Sequence, residues 1–454
     1  MKKKVFKSFA IAILSLGLSF SFNLFIAKWL GAEQYGKISF YLSFVQLFIL
    51  AISINYAALY MGNRIIYDDS RSFGLFFTIH SLFFLTFVLP AFILIDYFIV
   101  DHEAVILILL IAYLSIVVET AGLEFNTQKD VVGSILISSL TPQALLIFCF
   151  TILIFLNIES AKGYLYASLL SMFLVFGYVV YKFKPKFYIK KKIFHRAWKF
   201  YILGVIGSSF IYLAQVFQKE YGSYAQLASL SISLFILVLL GLTSSIMIKF
   251  ALPAAHHYWK ERNFKDLATL YINNTMIELI ISLPLFLFVA VNIDLIASML
   301  GKGYEMLPTI FYILSIGFLM DAFTGITGTL LRATEHEKYE LYNQLLRLIS
   351  GLGLIYFLKD YQYGIVIAIT VSMVLFNVVK IFEIYYLFGF VPLTRKHLFH
   401  IISFVFPLSL ILFGLMQIED YYWRSVFNLI TFGLTGFFIY AYIEKNHYLL
   451  EGYQ

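Results

Sequence analysis

Polar side chains lie along one face of each of two neighbouring apolar segments in the middle of the chain. The first face carries Tyr212, Gln215 and Gln218, at positions i, i+3 and i+6. The second carries Gln226, Ser229 and Ser233, at positions i, i+3 and i+7. Residues at these intervals share one side of an α-helix. Because amides and hydroxyls are poorly solvated by lipid, the two faces predict either a water-filled cavity or a polar seam between helices, and we favour the cavity.

Charged groups add a second kind of chemistry. Lys28, Lys219 and Lys249 fall near the ends of three apolar segments, so a cationic cavity is expected, and phosphate is the ligand that such charges suit best. Arg347 falls inside an apolar segment, where it either reaches back to the membrane surface or contacts a substrate. Asn23 and Asn55 would line the cavity or join helices by hydrogen bonds. The candidate substrate-binding residues are therefore Asn23, Lys28, Asn55, Tyr212, Gln215, Gln218, Lys219, Gln226, Lys249 and Arg347.

Other motifs point away from catalysis. The nine histidines are scattered, and the single cysteine, Cys149, cannot build a disulfide or a zinc cluster by itself. Glu278 and Asp321 lie inside apolar segments, where each would pair with a base or carry a proton. A Walker motif is absent from the sequence, so ATP is not expected as a direct energy source. We expect no catalytic residues, no metal site, no cofactor and no enzymatic activity.

The elements that would position these residues are membrane-spanning helices. The 454 residues are 61% hydrophobic and 13% charged, with a mean hydropathy of +0.86. Strand alternation is absent and the apolar segments are long enough to be helices that cross a bilayer. We predict an all-α polytopic membrane protein with about fourteen spans. The predicted spans are 8–27, 38–60, 73–95, 104–121, 133–157, 163–181, 200–218, 223–247, 267–292, 308–331, 341–358, 363–383, 399–416 and 425–443.

The distribution of basic residues predicts the orientation in the membrane. With the N-terminus inside, 25 of the 33 lysines and arginines fall in inner segments, 7 in outer segments, and Arg347 within a span. This bias is typical of a multi-pass membrane protein, and an even number of spans would place both termini in the cytoplasm. The basic run 182–199 would then contact anionic lipid head groups. The net charge of +7 thus indicates topology, and nucleic acid is not an expected partner.

The same basic run divides the chain into two similar halves. Tyr35-Gly36 and Ser43 recur as Tyr221-Gly222 and Ser229 at a shift of 186 residues. We therefore predict an N-terminal six-helix bundle at 1–181, a basic cytoplasmic linker at 182–199, a C-terminal six-helix bundle at 200–383, and two extra helices with a cytoplasmic tail at 384–454. Paired bundles of this kind hold a substrate site between them.

Five short motifs follow one another along nearly the whole chain: Ala27–Gly36, Leu300–Tyr304, Leu314–Gly317, Leu330–Thr334 and Tyr363–Ala368. In their order and spacing they resemble motifs of the Wzx-type polysaccharide (O-antigen) flippases. This family belongs to the multidrug/oligosaccharidyl-lipid/polysaccharide exporter (MOP) superfamily. The resemblance implies two six-helix bundles in a V shape, with spans 1, 2, 7 and 8 around a central cationic cavity. It also implies transfer of undecaprenyl-pyrophosphate-linked oligosaccharide from the cytoplasmic to the external leaflet for O-antigen or capsule synthesis.

The chain departs from the family pattern at two places. Glu335 stands where glycine is usual, and Gln215 or Gln218 replaces an acidic residue often found in the seventh span. Membrane lipids, a polysaccharide polymerase and other assembly proteins are implied as partners, together with coupling to protons or sodium ions. The missing acid puts coupling through that position in doubt.

Three other functions compete with this one. A multidrug or cation antiporter of the same superfamily would favour twelve spans and acidic cavity residues. A lipid II flippase is close in both fold and substrate. An O-antigen polymerase or ligase would need a long outer loop with paired arginines or histidines, which the sequence lacks.

Overall fold

The computed structural model describes residues 2–53, 72–128, 130–188 and 191–416, together with Thr431 and Thr435. Regular structure in these residues is helical throughout. Nine of their helices are long and apolar enough to cross a membrane, and two shorter apolar stretches, Tyr224–Val238 and Ile401–Leu412, add to them. The prediction of an all-α polytopic membrane protein is confirmed. The predicted fourteenth span, 425–443, lies outside the described ranges.

The helices before the basic run begin with one long kinked element. They are α1 Lys2–Ile52, α2 Ser72–Ile99, α3 His102–Thr127, α4 Val131–Ile135, a π-helical turn Leu136–Leu140, α5 Thr141–Phe155 and α6 Ala161–Phe183. α1 is kinked at Gly31, whose φ of 76° and ψ of 169° are non-helical and favour glycine. The predicted span 8–27 therefore lies in the first arm of α1, and residues 38–52 of the predicted span 38–60 form part of the second arm. Residues 54–60 of that span lie outside the described ranges.

Among the described residues, nine helices follow from Lys191 onward, and breaks at Gly241 and Gly325 divide two of the apolar segments. The helices are α7 Lys191–Glu220, α8 Tyr224–Leu240, α9 Leu242–Lys260, α10 Phe264–Leu300, α11 Leu307–Thr324, α12 Thr327–Ala333, α13 Glu337–Leu358, α14 Gly364–Phe388 and α15 Arg395–Met416. The predicted span 308–331 is wrong as a single helix, because Gly325 adopts a φ of 65° and separates α11 from α12. A Cβ at Gly325 would also collide with the side chain of Thr275 on α10.

The chain forms two compact units, Met1–Ala228 and Ser229–Gln454. In the first, α3 is the central helix and packs against α1, α2 and α6, while α7 packs along α1. In the second, α14 packs between α11 and α13, and α10 packs against α9, α11 and α15. The compact units divide within α8, between Ala228 and Ser229, whereas the predicted bundles divide at the basic linker 182–199. Those bundle boundaries stay a prediction.

An ion-pair network joins the ends of α3 and α6 in the first unit. Lys162 Nζ lies 2.9 Å from an Asp101 carboxylate oxygen and 3.0 Å from one of Glu103. Asp101 also caps α3 by accepting a hydrogen bond from the backbone N–H of Ala104 at 3.3 Å. Residues 96–103 contain three acids and no lysine or arginine, so the base of this network comes from the start of α6.

This network predicts an acid-sensitive contribution to stability. Burial acts to raise the pKa of Asp101, but hydrogen bonds from Lys162 and the Ala104 N–H, with the charges of Lys162 and Lys37, hold it below its usual value. The carboxylate therefore stabilises the fold above the unfolded-state pKa of about 4, and this stability is lost as pH falls through the lower folded-state pKa. In acid thermal-unfolding scans, Asp101→Asn should show a smaller loss of stability below about pH 4 than the parent. Asp360→Asn, at an exposed carboxylate between α13 and α14, should follow the parent curve.

Candidate functional site

Hydrogen bonds fix two half-buried amide side chains of the first unit, Asn23 on α1 and Gln215 on α7. Ser43 Oγ lies 2.8 Å from Oε1 of Gln215 and 2.8 Å from the backbone oxygen of Ser39. A hydroxyl carries one hydrogen, so Ser43 donates to only one of these two oxygens. If it donates to Ser39, the Gln215 amide would present its NH2 group to Ser43 and turn its oxygen away. Asn23 donates to the Ser19 backbone oxygen at 2.8 Å and accepts from the Tyr35 hydroxyl at 3.3 Å, which joins the two arms of α1.

Lys219 lies at the end of α7 in a polar and aromatic environment. Its Nζ is 2.8 Å from Oε1 of Glu220, and it lies 5.1 Å from the ring centroid of Phe40 and 5.9 Å from that of Tyr224. The lysine side chain is 25% exposed. Its charge is therefore partly balanced by Glu220, and a phosphate ligand would have to compete with that carboxylate.

Gln226 has a local structural role that its spacing from Ser223 could have indicated. Its Oε1 accepts a hydrogen bond from the backbone N–H of Ser223 at 3.1 Å, and its own N–H donates to Ser223 Oγ at 3.2 Å. This reciprocal pair is a capping box at the start of α8. Gln218 is buried and donates to the same Gln226 oxygen at 3.4 Å.

The predicted site residues are distributed over both compact units. Asn23, Lys28, Tyr212, Gln215, Gln218, Lys219 and Gln226 all lie in the first unit. Lys28 is exposed and Tyr212 is half-buried. Lys249 belongs to α9 and Arg347 to α13, both in the second unit. The Lys249 side chain and Asn55 lie outside what the structure describes. Ser229 and Ser233 are fully buried, so this face of α8 is packed, and the predicted cavity is wrong for these two serines.

Sequence reasoning missed a carboxylate on the central helix of the first unit. Glu119 lies within α3, in the apolar segment predicted as the fourth span, and its side chain is exposed. Its carboxylate interacts electrostatically with the Tyr212 side chain of α7. A carboxylate exposed to hydrocarbon costs several kcal/mol, so a span carboxylate that is not buried in protein is expected to face a water-filled cavity. The signal in the sequence was a lone acid inside an apolar run.

Arg347 belongs to a buried ionic cluster on α13 and α14. Lys380 Nζ is 3.4 Å from Glu340 Oε2, and both side chains are less than 10% exposed. The ammonium lies 3.9 Å from the ring centroid of Phe376, and the Arg347 guanidinium 5.6 Å from the same ring. The Arg347 guanidinium interacts electrostatically with the carboxylates of Asp321 on α11 and Glu340 on α13.

Hydrogen bonds complete this cluster. Gln344 donates to Glu340 at 2.8 Å, and Asn343 donates to Glu383 at 2.5 Å. A structural role for Arg347 is thus favoured by its surroundings, and its contact with substrate stays a prediction.

A small cavity in the second unit collects the two intramembrane acids that the sequence singled out. Its volume is about 30 Å³, and Glu278 and Asp321 line it together with Ser282 and the apolar residues Leu237, Phe286 and Phe318. The space suits a water molecule better than a saccharide. Among the described residues, histidine, cysteine and carboxylate side chains form no group of three or more that would hold a metal ion.

Comparison with known proteins identifies the fold. Neither a family model nor a curated protein sequence matches the chain. Among solved structures, a lipid II flippase, MurJ, in an inward closed conformation aligns with a TM-score of 0.70 at 14% identity, covering 98% of this chain and 99% of MurJ. An inward-facing multidrug resistance MATE family transporter of the MOP superfamily aligns with a TM-score of 0.65 at 16% identity, covering 83% of this chain and 96% of the transporter.

A third solved structure belongs to a MOP-superfamily transporter from Pyrococcus furiosus, described as having a binding pocket of reversed polarity. It aligns with a TM-score of 0.60 at 16% identity, covering 84% of this chain and 94% of its own. The chain therefore has the fold of MOP-superfamily transporters, as the resemblance in the sequence predicted.

Proposed function

We propose that this protein is a Wzx-type flippase that moves undecaprenyl-pyrophosphate-linked oligosaccharide repeat units across the membrane. The observation that carries the proposal is the extent of the structural match. The lipid II flippase aligns over 98% of this chain, whereas two MATE structures align over 83% and 90% of it. At 384–454 the sequence predicts two helices beyond a pair of six-helix bundles. A full-length match to a lipid carrier favours a lipid-linked substrate.

The polar side chains of the first unit support this substrate chemically. A pyrophosphate-sugar head group cannot cross about 30 Å of hydrocarbon unaided. The amides of Asn23 and Gln215 and the hydroxyl of Tyr212 suit sugar hydroxyls. Lys219 suits the pyrophosphate, which would displace Glu220 from it. The lipid tail would stay in the bilayer while the two halves open to alternate sides, driven by an ion or sugar gradient.

Reconstitution separates the competing functions. Vesicles containing the purified protein would carry undecaprenyl-pyrophosphate-linked N-acetylglucosamine in both leaflets, and an impermeant galactosyltransferase outside would label the sugar heads that reach it. A flippase raises the labelled fraction from the outer-leaflet share to nearly the whole pool. Transfer of lipid II alone would assign the chain to the lipid II flippases. Ethidium export without movement of either lipid would identify a drug antiporter, and polymer formed without other enzymes would identify a polymerase.

Removing two of the predicted cavity lysines should slow transfer. We expect Lys28→Ala with Lys219→Ala to lower the rate at least tenfold, since each charge-assisted contact to phosphate is worth about 1.5–3 kcal/mol. The matched control is Lys260→Ala with Lys265→Ala, which removes two exposed lysines beside the loop that joins α9 and α10. Normal transfer by the first double variant, at normal membrane levels, would remove these lysines from the site.

Glu119 is predicted to contribute to transfer through its carboxylate. Glu119→Gln keeps the shape and removes the charge, and we expect a rate about tenfold lower, the effect of losing one charged hydrogen bond. Glu119→Asp should retain more activity than the glutamine variant. Glu305→Gln, in the exposed loop between α10 and α11, is the control. Equal rates for all three variants would show that Glu119 does not face the substrate path.

A further inference from the structure

A basic segment follows α6 and is held against the start of α2. The eighteen residues 182–199 contain eight lysines and arginines and no acid. The structure describes the first part of this segment, and we call residues 181–188 the basic strap. It lies at the end of a membrane-spanning helix, on the side predicted to carry most of the basic residues of the chain.

The backbone of the basic strap is fixed by close contacts with α2. A Cβ at Gly74 would collide with the backbone oxygen of Lys186, so glycine permits the approach. The backbone N–H of Tyr188 donates to Thr78 Oγ1 at 3.0 Å. The ring centroids of Phe187 and Phe77 are 5.8 Å apart. These contacts hold the strap along the first turns of α2.

Fixing the backbone in this way directs two lysines outward. Lys184 ends α6 in the left-handed conformation, with a φ of 43°, and the chain turns away from the helix there. Lys184 and Lys186 are both exposed, and neither ammonium forms an ion pair within the described ranges. Lys182 differs, because its Nζ lies 4.2 Å from the ring centroid of Phe125.

Exposed aromatic rings flank the two lysines. Tyr181 is 79% exposed and Phe187 is 76% exposed. Tyrosine and phenylalanine in this position, at the end of a span, lie at the level where lipid head groups meet the acyl chains. The lysines between them are then placed at the height of the lipid phosphates.

We propose that the basic strap is a binding site for an anionic phospholipid, in which Lys184 and Lys186 hold the phosphate of the head group while Tyr181 and Phe187 contact the upper acyl chain. The occupant follows from charge complementarity and from the apolar rings beside it. A zwitterionic lipid lacks the net negative charge that the lysines favour. A soluble anion has no acyl chain to contact the rings. The site does not depend on what the protein transports.

The experiment uses the full-length protein in detergent, titrated with phosphatidylglycerol or with phosphatidylcholine, and counts bound lipids by native mass spectrometry. We expect phosphatidylglycerol to bind preferentially. Each interfacial lysine contributes about 1 kcal/mol to anionic lipid attraction, so Lys184→Gln with Lys186→Gln should weaken phosphatidylglycerol binding roughly thirtyfold. Phosphatidylcholine binding should not change. The matched control is Lys260→Gln with Lys265→Gln, a pair of exposed lysines that lies beside Glu261 and Asp266.

Three results would overturn the proposal. One is an unchanged lipid preference in the strap variant with both lysines replaced. Another is an equal loss in the control variant, which would indicate a diffuse positive field. The third is displacement of the lipid by millimolar inorganic phosphate, which would indicate a site for the free anion. Thermal unfolding verifies that the variant Lys184→Gln with Lys186→Gln is folded. Its unfolding should not change, because both lysine side chains are exposed and lack ion-pair partners in the described structure.

Discussion

Replacing Glu340 with glutamine should lower the free energy of unfolding by about 3–5 kcal/mol, because it leaves a buried ammonium without its counter-charge. Lys380 is 7% exposed, and its Nζ lies 3.4 Å from Glu340 Oε2. The Glu340 carboxylate also packs closely against Gly328, because a Cβ at Gly328 would lie 3.0 Å from each Glu340 carboxylate oxygen. Equilibrium unfolding in mixed detergent micelles measures the change.

Two companion variants show whether the ion pair is responsible. Glu337→Gln, three residues earlier on α13 and exposed, should change the free energy of unfolding by less than about 0.5 kcal/mol. Glu340→Gln combined with Lys380→Met should recover much of the lost stability, because replacing both partners removes the unpaired charge. A cost below about 1 kcal/mol for Glu340→Gln would mean that Lys380 reaches water in that variant.

Adding one methyl group at Gly36 should destabilise the first unit by about 1–3 kcal/mol. A Cβ at this position would collide with the backbone oxygen of Tyr224 at the start of α8. A backbone carbonyl cannot turn aside as a flexible side chain does, so α1 and α8 must separate. The same shift would move Phe40 away from Tyr224, whose rings now lie 6.0 Å apart, and would disturb the surroundings of Lys219. Loss of transfer should accompany the loss of stability.

Gly353→Ala is the matched control for Gly36→Ala. Gly353 lies in α13, and a Cβ there would meet nothing within 4 Å. Alanine is favoured over glycine inside a helix by about 0.5–1 kcal/mol, so this variant should be slightly more stable than the parent. Opposite signs for the two substitutions would establish the tight approach at Gly36. A stabilising effect at both positions would refute it.

The placement of the helices in the membrane could be predicted from the composition and order of the apolar segments. A chain that is 61% hydrophobic has to place its helices in lipid, and the order of its apolar segments follows from that requirement. The helix ends were harder. Gly31, Gly241 and Gly325 mark changes of direction between helical segments, and the hydropathy pattern alone did not distinguish a kink from a loop.

The predicted site residues show a different limit. Lys219 was expected to be available to a phosphate, but it lies beside Glu220, its neighbour in the sequence. Gln226 was expected to line a cavity, but it caps the helix in which it lies. Side-chain type and helical spacing indicate which residues share a face. They do not show what the next turn or the next helix places against that face.

Membrane insertion and an all-helical fold follow from hydropathy, because the bilayer imposes a single apolar thickness on every span. The positions of the basic residues predict which side faces inward. Tertiary structure alone decided the pairing of Lys380 with Glu340, the contact between Ser43 and Gln215, and the fixing of the basic strap on α2. Each of these joins residues far apart in the sequence, and their apposition depends on how the helices pack. Helix packing follows from steric fit among many small contacts, such as the one at Gly36, which leave almost no trace in a hydropathy profile.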